Sequence, residues 1–373
     1  MPGPIVYSGQ TSPALNQYPV NFKLMRNLLL SAKAVAPYLV GTMPGVLQRN
    51  SGTDTVKWER IENFTPQTTP LGELTVDDLP TRPSFLPTIT PVTAAMLKYG
   101  LVTRVSEELD LMSVNATSEQ FSRKLGENAG RTLSLVARDI WETDIDAAAS
   151  GPDDNRRYSG GTNTGVPATD RATVAAALGG VDAQWANNYL NRNDGMEFRS
   201  MGFGSTNIDT RTIRNSFVGI VHSDVEEDVR QNAGDFRSAE QYGGYTQLYP
   251  GEFGASYGIR WISTSLAKII PDAGGAAGVL RSTTGTSADV YVSYIYAEEA
   301  LGTVGLGEQH TKEIYLTGDR LPAVEMIQHG RGSSGTADAL NEIATVGWKA
   351  WFTGRVLNGL WVTKVESGAT KLT

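Results

Sequence analysis

Apolar residues at Phe121, Leu125, Ala129, Leu133, Val136 and Ile140 recur at helical spacing and predict one long amphipathic helix over 117–149. Glu119, Arg123, Glu127 and Arg131 fall four apart with alternating sign. Each lies about 200° round the helix from its apolar neighbour, so they form a second, opposite stripe. Such pairs support a helix by roughly tenths of a kcal/mol each. Thr117 with Gln120 makes a capping box, and Gly151-Pro152 is the stop. At ~1.5 Å per residue the helix would run about 50 Å, the width of a domain. The other elements are expected to be arranged around it.

Upstream, residues 1–22 have no period and read as an extended arm, 22–40 as a short apolar helix up to Pro37, and 41–52 as a loop. Residues 55–61 and 97–105 read as strands. Between them lie Pro66, Pro70, Pro80, Pro83, Pro87 and Pro91, with few apolar residues. A connection this long without its own core is uncommon inside a compact domain. If the two strands pair, they form a long arm that needs another subunit to lie on, because a lone two-stranded arm is marginal in water. The competing reading is an irregular surface loop, and the pattern leaves the two level.

Downstream, 151–169 reads as a polar loop, 170–190 as a helix and 191–212 as irregular. Residues 217–222 form a short buried strand, with a helix starting at Ser223-Asp224 and a capping box completed by Glu226. Strands are expected over 259–263 and 289–296, with 271–288 as a flexible tip or insertion. At the C-terminus, Asn358-Gly359 between 346–357 and 360–365 signals a two-residue hairpin, pairing Val356 with Trp361 and Phe352 with Val365. Its Val346–Trp348–Ala350 face is expected to pack on the apolar stripe of the long helix. This order predicts a long helix and terminal sheet in one domain, with residues of about 165–325 inserted as another.

Composition narrows the chemistry. The chain has 373 residues, 40 Gly, 17 Pro and no Cys, so neither a disulfide framework nor a thiolate metal site is available. No basic n-region with an apolar run opens the chain, so no signal peptide is expected, and the apolar stretch 28–40 is too short and interrupted to span a bilayer. Residues 1–50 hold Lys23, Arg26, Lys33 and Arg49 and no acid, which leaves −12 on the rest of a chain whose net charge is −8. An acidic body argues against tight, sequence-independent DNA binding, and the sparse basic arm favours pairing with protein. His222, His310 and His329 sit in unrelated contexts, each read as structural; His222, at the end of an apolar strand, is the one to check. Gly160 and Gly165 have the phosphate-loop spacing, but Val166 replaces the required Lys. Asp153-Asp154 with Arg156-Arg157 reads as a solvated loop, and Asp224, Glu226, Glu227 and Asp228 as complements to a helix dipole. No catalytic, cofactor or metal constellation emerges, although scattered carboxylates could still converge in the fold.

Six runs carry a resemblance: VKWERIENFTPQTTPL (56–71), YSGG (158–161), FVGIVHSDVEEDVR (217–230), YPGEFGASYGIRWISTS (249–265), DVYVSYIYAEEALGTVGL (289–306) and SSGTADALNEIATVGWKAW (333–351). From about residue 50 onward the chain closely resembles the major capsid proteins of tailed phages related to coliphage N-four. The resemblance implies an α+β fold of the Hong Kong 97 type. Its parts would be an N-arm (1–52), an extended E-loop hairpin (53–104), a P-domain spine helix with its following loop (105–165), an A-domain (166–325) and P-domain C-terminal strands (326–373). It implies a structural protein, not an enzyme, that assembles with itself into hexamers and pentamers of an icosahedral head around double-stranded DNA. The expected location is the virion, after assembly in the bacterial cytoplasm. Neighbouring capsomers would meet through the E-loop and N-arm, with portal, scaffolding and decoration proteins as further partners, DNA touched weakly at most, and no membrane. Lys57, Trp58, Arg60, Glu62, Phe64, Glu119, Arg123, Glu127 and Arg131 are the expected inter-subunit contacts. An encapsulin-like compartment and an enzyme with an unrecognised carboxylate site remain as alternatives.

Overall fold

The structure, a computed structural model, describes residues 37–45, 54–61, 88–108, 117–148, 155–160, 167–198, 215–232, 235–239, 251–305, 324–333 and 340–372, with positions 64, 66, 68, 86 and 249. The basic residues of the arm, the expected helix before Pro37, Glu62 and the side chains of Thr117 and Glu119 lie outside the described residues.

The long helix, α1, spans Thr117–Ala148. Its buried stripe is Leu125, Ala129, Leu133, Ala137, Trp141 and Ile145. The expected path left this line at Leu133 by stepping three residues to Val136, and both Val136 and Ile140 are only flanking contacts. The true path steps four each time. Four residues overshoot one turn by ~40°, so from Leu125 to Ile145 the stripe winds roughly 200° around the helix. One helix can therefore face two sheets. Buried Ser122, Gly126, Gly130 and Ser134 beside the stripe keep that side thin enough for close approach.

The first sheet has five strands: β1 (Met43–Gly45), β4 (Leu97–Ser106), β12 (Leu301–Gly305), β13 (Val324–His329) and β14 (Ile343–Val356). The segment 41–52, expected as a loop, thus contributes a strand, β1, parallel to β12. On β14, Val346, Trp348, Ala350 and Phe352 point to α1, as alternation requires, and the Trp348 indole N–H donates to Asn128 (3.1 Å).

The second sheet contains β5 (Arg156–Tyr158), β6 (Phe217–His222), β7 (Arg237–Ser238), β8 (Glu252–Ser256), β9 (Ile259–Thr264), β10 (Ile269–Ile270), β11 (Val290–Tyr296) and β15 (Val362–Ser367). Every residue of β6 and β11 is buried. Such strands are continuous apolar runs because both faces are covered. Val218, Ile220, Tyr294 and Tyr296 meet α1, whereas Phe217, Val221, Tyr291 and Ile295 meet helix α2 (Gly180–Arg192). That helix starts ten residues later than expected, after a short 3-10 turn at Arg171–Thr173. Helix α3 begins at Glu226, and the Asp224 carboxylate serves Arg281 and Tyr291 instead of the helix start.

The expected C-terminal hairpin does not form. β14 and β15 belong to different sheets, and β15 pairs with β11 and β5. A two-residue hairpin turn of this kind needs left-handed backbone at both central residues. Asn358 is extended (φ −136°), and its side chain accepts from the Leu360 N–H across a 3-10 turn. Residues 357–361 are a crossing from the first sheet to the second, and 297–300 cross beside them. Ala300 O accepts from Leu357 N (2.8 Å), and Trp361 O accepts from Ala297 N (3.0 Å). Strands β12 and β15 thereby enter opposite sheets.

Two further loop readings need correction. Arg157 is buried and bonded to Asp182 (2.6 Å), whose other oxygen takes the Ser159 hydroxyl (2.7 Å), so Arg156-Arg157 belongs to a charge-paired strand and not a solvated loop, while Asp153 and Asp154 lie outside the described residues. The 271–288 segment is tied down rather than loose. Asp289 accepts from Asp272 N and Thr283 N, Asp272 accepts from Ser282 and Thr284, and Leu280 is buried.

Candidate functional site

The feature that leaves the body is a two-stranded ribbon. β2 (Thr55–Ile61) pairs antiparallel with β3 (Ile89–Ala95), from Thr55↔Ala95 to Ile61↔Ile89. The expected partner of β2 was 97–105, but those residues form β4 and pair with β14 over ten positions. β3 was hidden in the proline-rich stretch. Its Pro91 is tolerated because only one edge of the strand is paired.

Alternation gives the ribbon one inward face. Val56, Trp58, Ala94 and Met96 pack against Val304 and Leu357. Trp58 fits only because Gly45 and Gly302 lie beneath it. A Cβ on Gly45 would stand 2.7 Å from its ring, and one on Gly302 3.1 Å. Arg60 donates to Leu357 O (3.3 Å) and Asn358 Oδ1 (3.4 Å), clamping the ribbon to the sheet crossing. The outer end is apolar and exposed: Ile61, Phe64, Leu86 (93%) and Ile89.

The expected contact residues therefore divide. Phe64 is exposed, and exposed Lys57 pairs with Glu59 (2.8 Å). Trp58 (7% exposed) is a correction: it is a core residue of its own chain, because strand alternation puts it on the packed face. Arg60 is likewise spent on its own backbone. On α1, Arg123 and Arg131 are exposed, but Glu127 is half-buried and held by Lys124 (2.8 Å) and Arg123 (3.7 Å). The Lys124 hydrogen bond, and then nearby positive charge, lowers the Glu127 pKa. Lys124 was missed because it sits three residues away, off the four-residue ladder.

A second surface escaped the sequence reading. β4 is an edge strand, paired with β14 alone among the described strands. It exposes Leu97, Leu101 and Val102 (64%), with Trp351 of β14 beside Lys98 (5.9 Å to the ring centroid). The periodic signal found this strand but could not show which of its edges stays open.

Reactive chemistry does not converge. His222 is buried, and its Nδ1 accepts from Asp224 N (3.0 Å). Asp224 accepts from Tyr291 OH (3.0 Å) and Arg281 (3.0 Å). The arrangement is a clamp on the turn after β6. Burial lowers the His222 pKa, Asp224 opposes this, and Arg281 reinforces it. Below the unfolded-state value of 6.5 the unfolded chain takes up a proton that native His222 resists, so folding stability falls with pH there. His222→Gln is expected to flatten this loss, read as denaturant midpoints at about pH 7.5 and about pH 5.5; an unchanged slope would discard the clamp.

The deepest charges are closed pairs. Arg260 forms a bidentate bridge to Glu252 (2.6 and 2.8 Å) under the Tyr249 ring, and Arg171 does the same to Glu366 (2.8 and 2.6 Å). Lys364 bonds Asp146 and lies 3.3 Å from Glu366. Among the described residues no group of three or more His, Asp or Glu could hold a metal ion, and no helix is long and apolar enough to cross a membrane.

Comparison of the sequence finds no matching family model and no matching curated protein. Comparison of the structure finds the capsid of Ralstonia phage GP4 at TM-score 0.56 and 9% identity, covering 86% of this chain and 85% of that one. The capsid asymmetric unit of cyanophage Pam1 matches at 0.51 and 11%, covering 86% of each chain. A chain of Microbacterium phage Oxtober96 matches at 0.51 and 10%, covering 89% and 90%. The chain has a phage capsid-type α+β fold. In particular it is the Hong Kong 97-type fold, with α1 as the spine helix and the β2–β3 ribbon in the place of the extended loop.

Proposed function

We propose that this chain is the major capsid protein of a tailed phage, a structural protein that self-assembles into hexamers and pentamers of the icosahedral head around double-stranded DNA. The observation that carries this is the ribbon: its root is locked to the body by Trp58 and Arg60, while its apolar end is left exposed among the described residues. Exposed Ile, Phe and Leu at the end of a rigid arm are a liability in a monomer and an asset in an assembly.

On this reading the parts are an N-arm over 1–52, an E-loop within 53–104 narrowed to the ribbon, and the spine helix. The axial domain, 166–325, and the terminal peripheral strands, 326–373, share the two sheets: β12 lies in the first and β15 in the second. Capsomers meet through the ribbon and the N-arm, with Lys57, Phe64, Arg123 and Arg131 as the contacts to test first. Portal, scaffolding and decoration proteins are further candidate partners of such a head. The shell belongs to the virion and assembles in the host cytoplasm. An acidic body suits a container in which DNA slides, since dense Lys and Arg on the wall would hold it. Purified chain is expected to sediment as megadalton particles with icosahedral symmetry by electron microscopy. A folded chain that stays monomeric under all assembly conditions would refute the reading. Particles that carry an enzyme cargo and take up no DNA would make the shell an encapsulin-like compartment.

A further inference from the structure

Three side chains converge on one oxygen at the end of β6. Asp224, on the turn that follows the strand, accepts through Oδ2 from Tyr291 OH of β11 and from Arg281 of the 271–288 segment, both at 3.0 Å. His222 Nδ1 lies 3.5 Å from the same oxygen, and its ring lies against Tyr291 at 5.2 Å between centroids. We infer that His222 is the acid trigger of a latch, closed through Asp224 and Arg281, that holds residues 279–281 and 369–371 to this corner of the second sheet. The inference concerns the single chain and goes beyond the shell reading, so the two can fail separately.

Arg281 carries the latch outward. Its backbone N–H donates to Ala369 O (2.8 Å), Lys371 N donates to Val279 O (2.9 Å), and Leu280 bridges to Thr370. Thr370 N donates in turn to Asp228 of α3 (2.9 Å). Two short stretches far apart in sequence thus form a small ladder, and the Arg281 side chain ties that ladder to the turn.

In the closed state His222 is neutral, because its Nδ1 accepts from Asp224 N (3.0 Å). Protonation puts a hydrogen on Nδ1. That removes the acceptor and points a second cation at a carboxylate that Arg281 already uses. The acids on the elements around it are engaged elsewhere. Glu226 pairs with Arg230, Glu227 takes Gln231, Asp228 takes Thr370 N, and Asp289 takes Asp272 N and Thr283. From β9 the register partner of His222 is Thr264, which is neutral. Two cations then share one carboxylate, and like charges at close range disfavour each other. Exposure decides which one leaves. The His222 side chain is 9% exposed and that of Arg281 is 44% exposed, so Arg281 moves into water and the ladder loses its anchor. The coupling is reciprocal: burial, and then Arg281, hold the His222 pKa down against Asp224, and the proton that Arg281 resists is the one that expels it. Opening is therefore favoured as pH falls below 6.5, where the open state takes up a proton that the closed state refuses.

Hydrogen exchange of the full chain, followed by mass spectrometry at about pH 7.5 and about pH 5.5 and corrected for the intrinsic rate, tests this. Exchange over 279–281 and 369–371 is expected to rise several-fold at the lower pH, with about tenfold as the ceiling one unit below 6.5. Exchange in β11 should stay unchanged. His222→Gln keeps an acceptor and does not titrate, so it should exchange slowly at both pH values. Arg281→Gln, a change at a half-exposed side chain, should exchange fast at both. Equal protection of the wild-type chain at the two pH values overturns the latch. So does a rise that His222→Gln retains, an Arg281→Gln chain that behaves as wild type, or a rise that runs through β11 as well and so reports global unfolding.

Discussion

A chain in which residues 62–88 are replaced by Asn-Gly is expected to fold normally and to form no shells. The replacement suits the register, because Ile61 and Ile89 are directly paired and a two-residue turn can close them. It keeps both strands, so the Trp58 packing on Gly45 and Gly302 and the Arg60 clamp on the sheet crossing stay in place. The described residues it removes, 64, 66, 68, 86 and 88, are all exposed, and stability should move by less than ~1 kcal/mol, as changes away from cores do. Assembly loses the exposed apolar end of the ribbon. Deleting back to residue 95 would be a poorer test, since it strips β3 and uncovers Trp58. Electron microscopy and sedimentation of the variant beside wild type decide the matter. Normal shells from it would remove the ribbon from the assembly mechanism. Unfolding of it would mean that the tip is part of the fold.

The ribbon also marks what local pattern can and cannot tell. The extents of β2, β6, β11 and α1 were legible, because alternation, a continuous apolar run and a capped 3.6-residue period are properties of neighbours in sequence. Strand partners were not. β2 was matched to β4 because both were recognisable, while its partner β3 carried Pro91 and few large apolar residues. Asn358-Gly359 looked like a turn because dipeptide chemistry permits one. Pairing of β15 with β11 and β5 left Asn358 extended, and tertiary pairing outweighed the local preference. Buried charge was invisible for the same reason. Arg171 and Glu366 are 195 positions apart, so neither betrays burial in its own surroundings. At the candidate site, Phe64 could be picked out as an apolar residue in a polar stretch. The open edge of β4 could not, because an open edge exists only once every other strand has been placed.

Trp141→Ala is expected to be the most destabilising single truncation in the chain, at about 3–5 kcal/mol. Trp361, paired with Val356 in the expected hairpin, is only partly buried and bridges the two cores, with a bond to Asn193 O (2.9 Å). Trp141 is 1% exposed and stands where the winding stripe of α1 passes from the first sheet to the second. Its ring meets Tyr38 edge-on at 5.6 Å and Tyr296 at 6.1 Å, so it joins the 3-10 turn at Pro37–Leu39, the long helix and β11. Removing it leaves a cavity that two sheets and a helix cannot easily collapse, which is the costly case for a large-to-small change. The indole N–H has no hydrogen-bond partner among the described residues. Trp141→Phe therefore loses volume but also removes an unsatisfied donor, and should cost less than half as much. Urea unfolding at constant slope gives both values. A Trp141→Ala loss below ~1 kcal/mol, or equal losses for Ala and Phe, would mean that the junction is loosely packed. The spine helix would then hold the second sheet mainly through Asp146 to Lys364 and Glu142 to Lys268, and the first through Asp144 to Arg355.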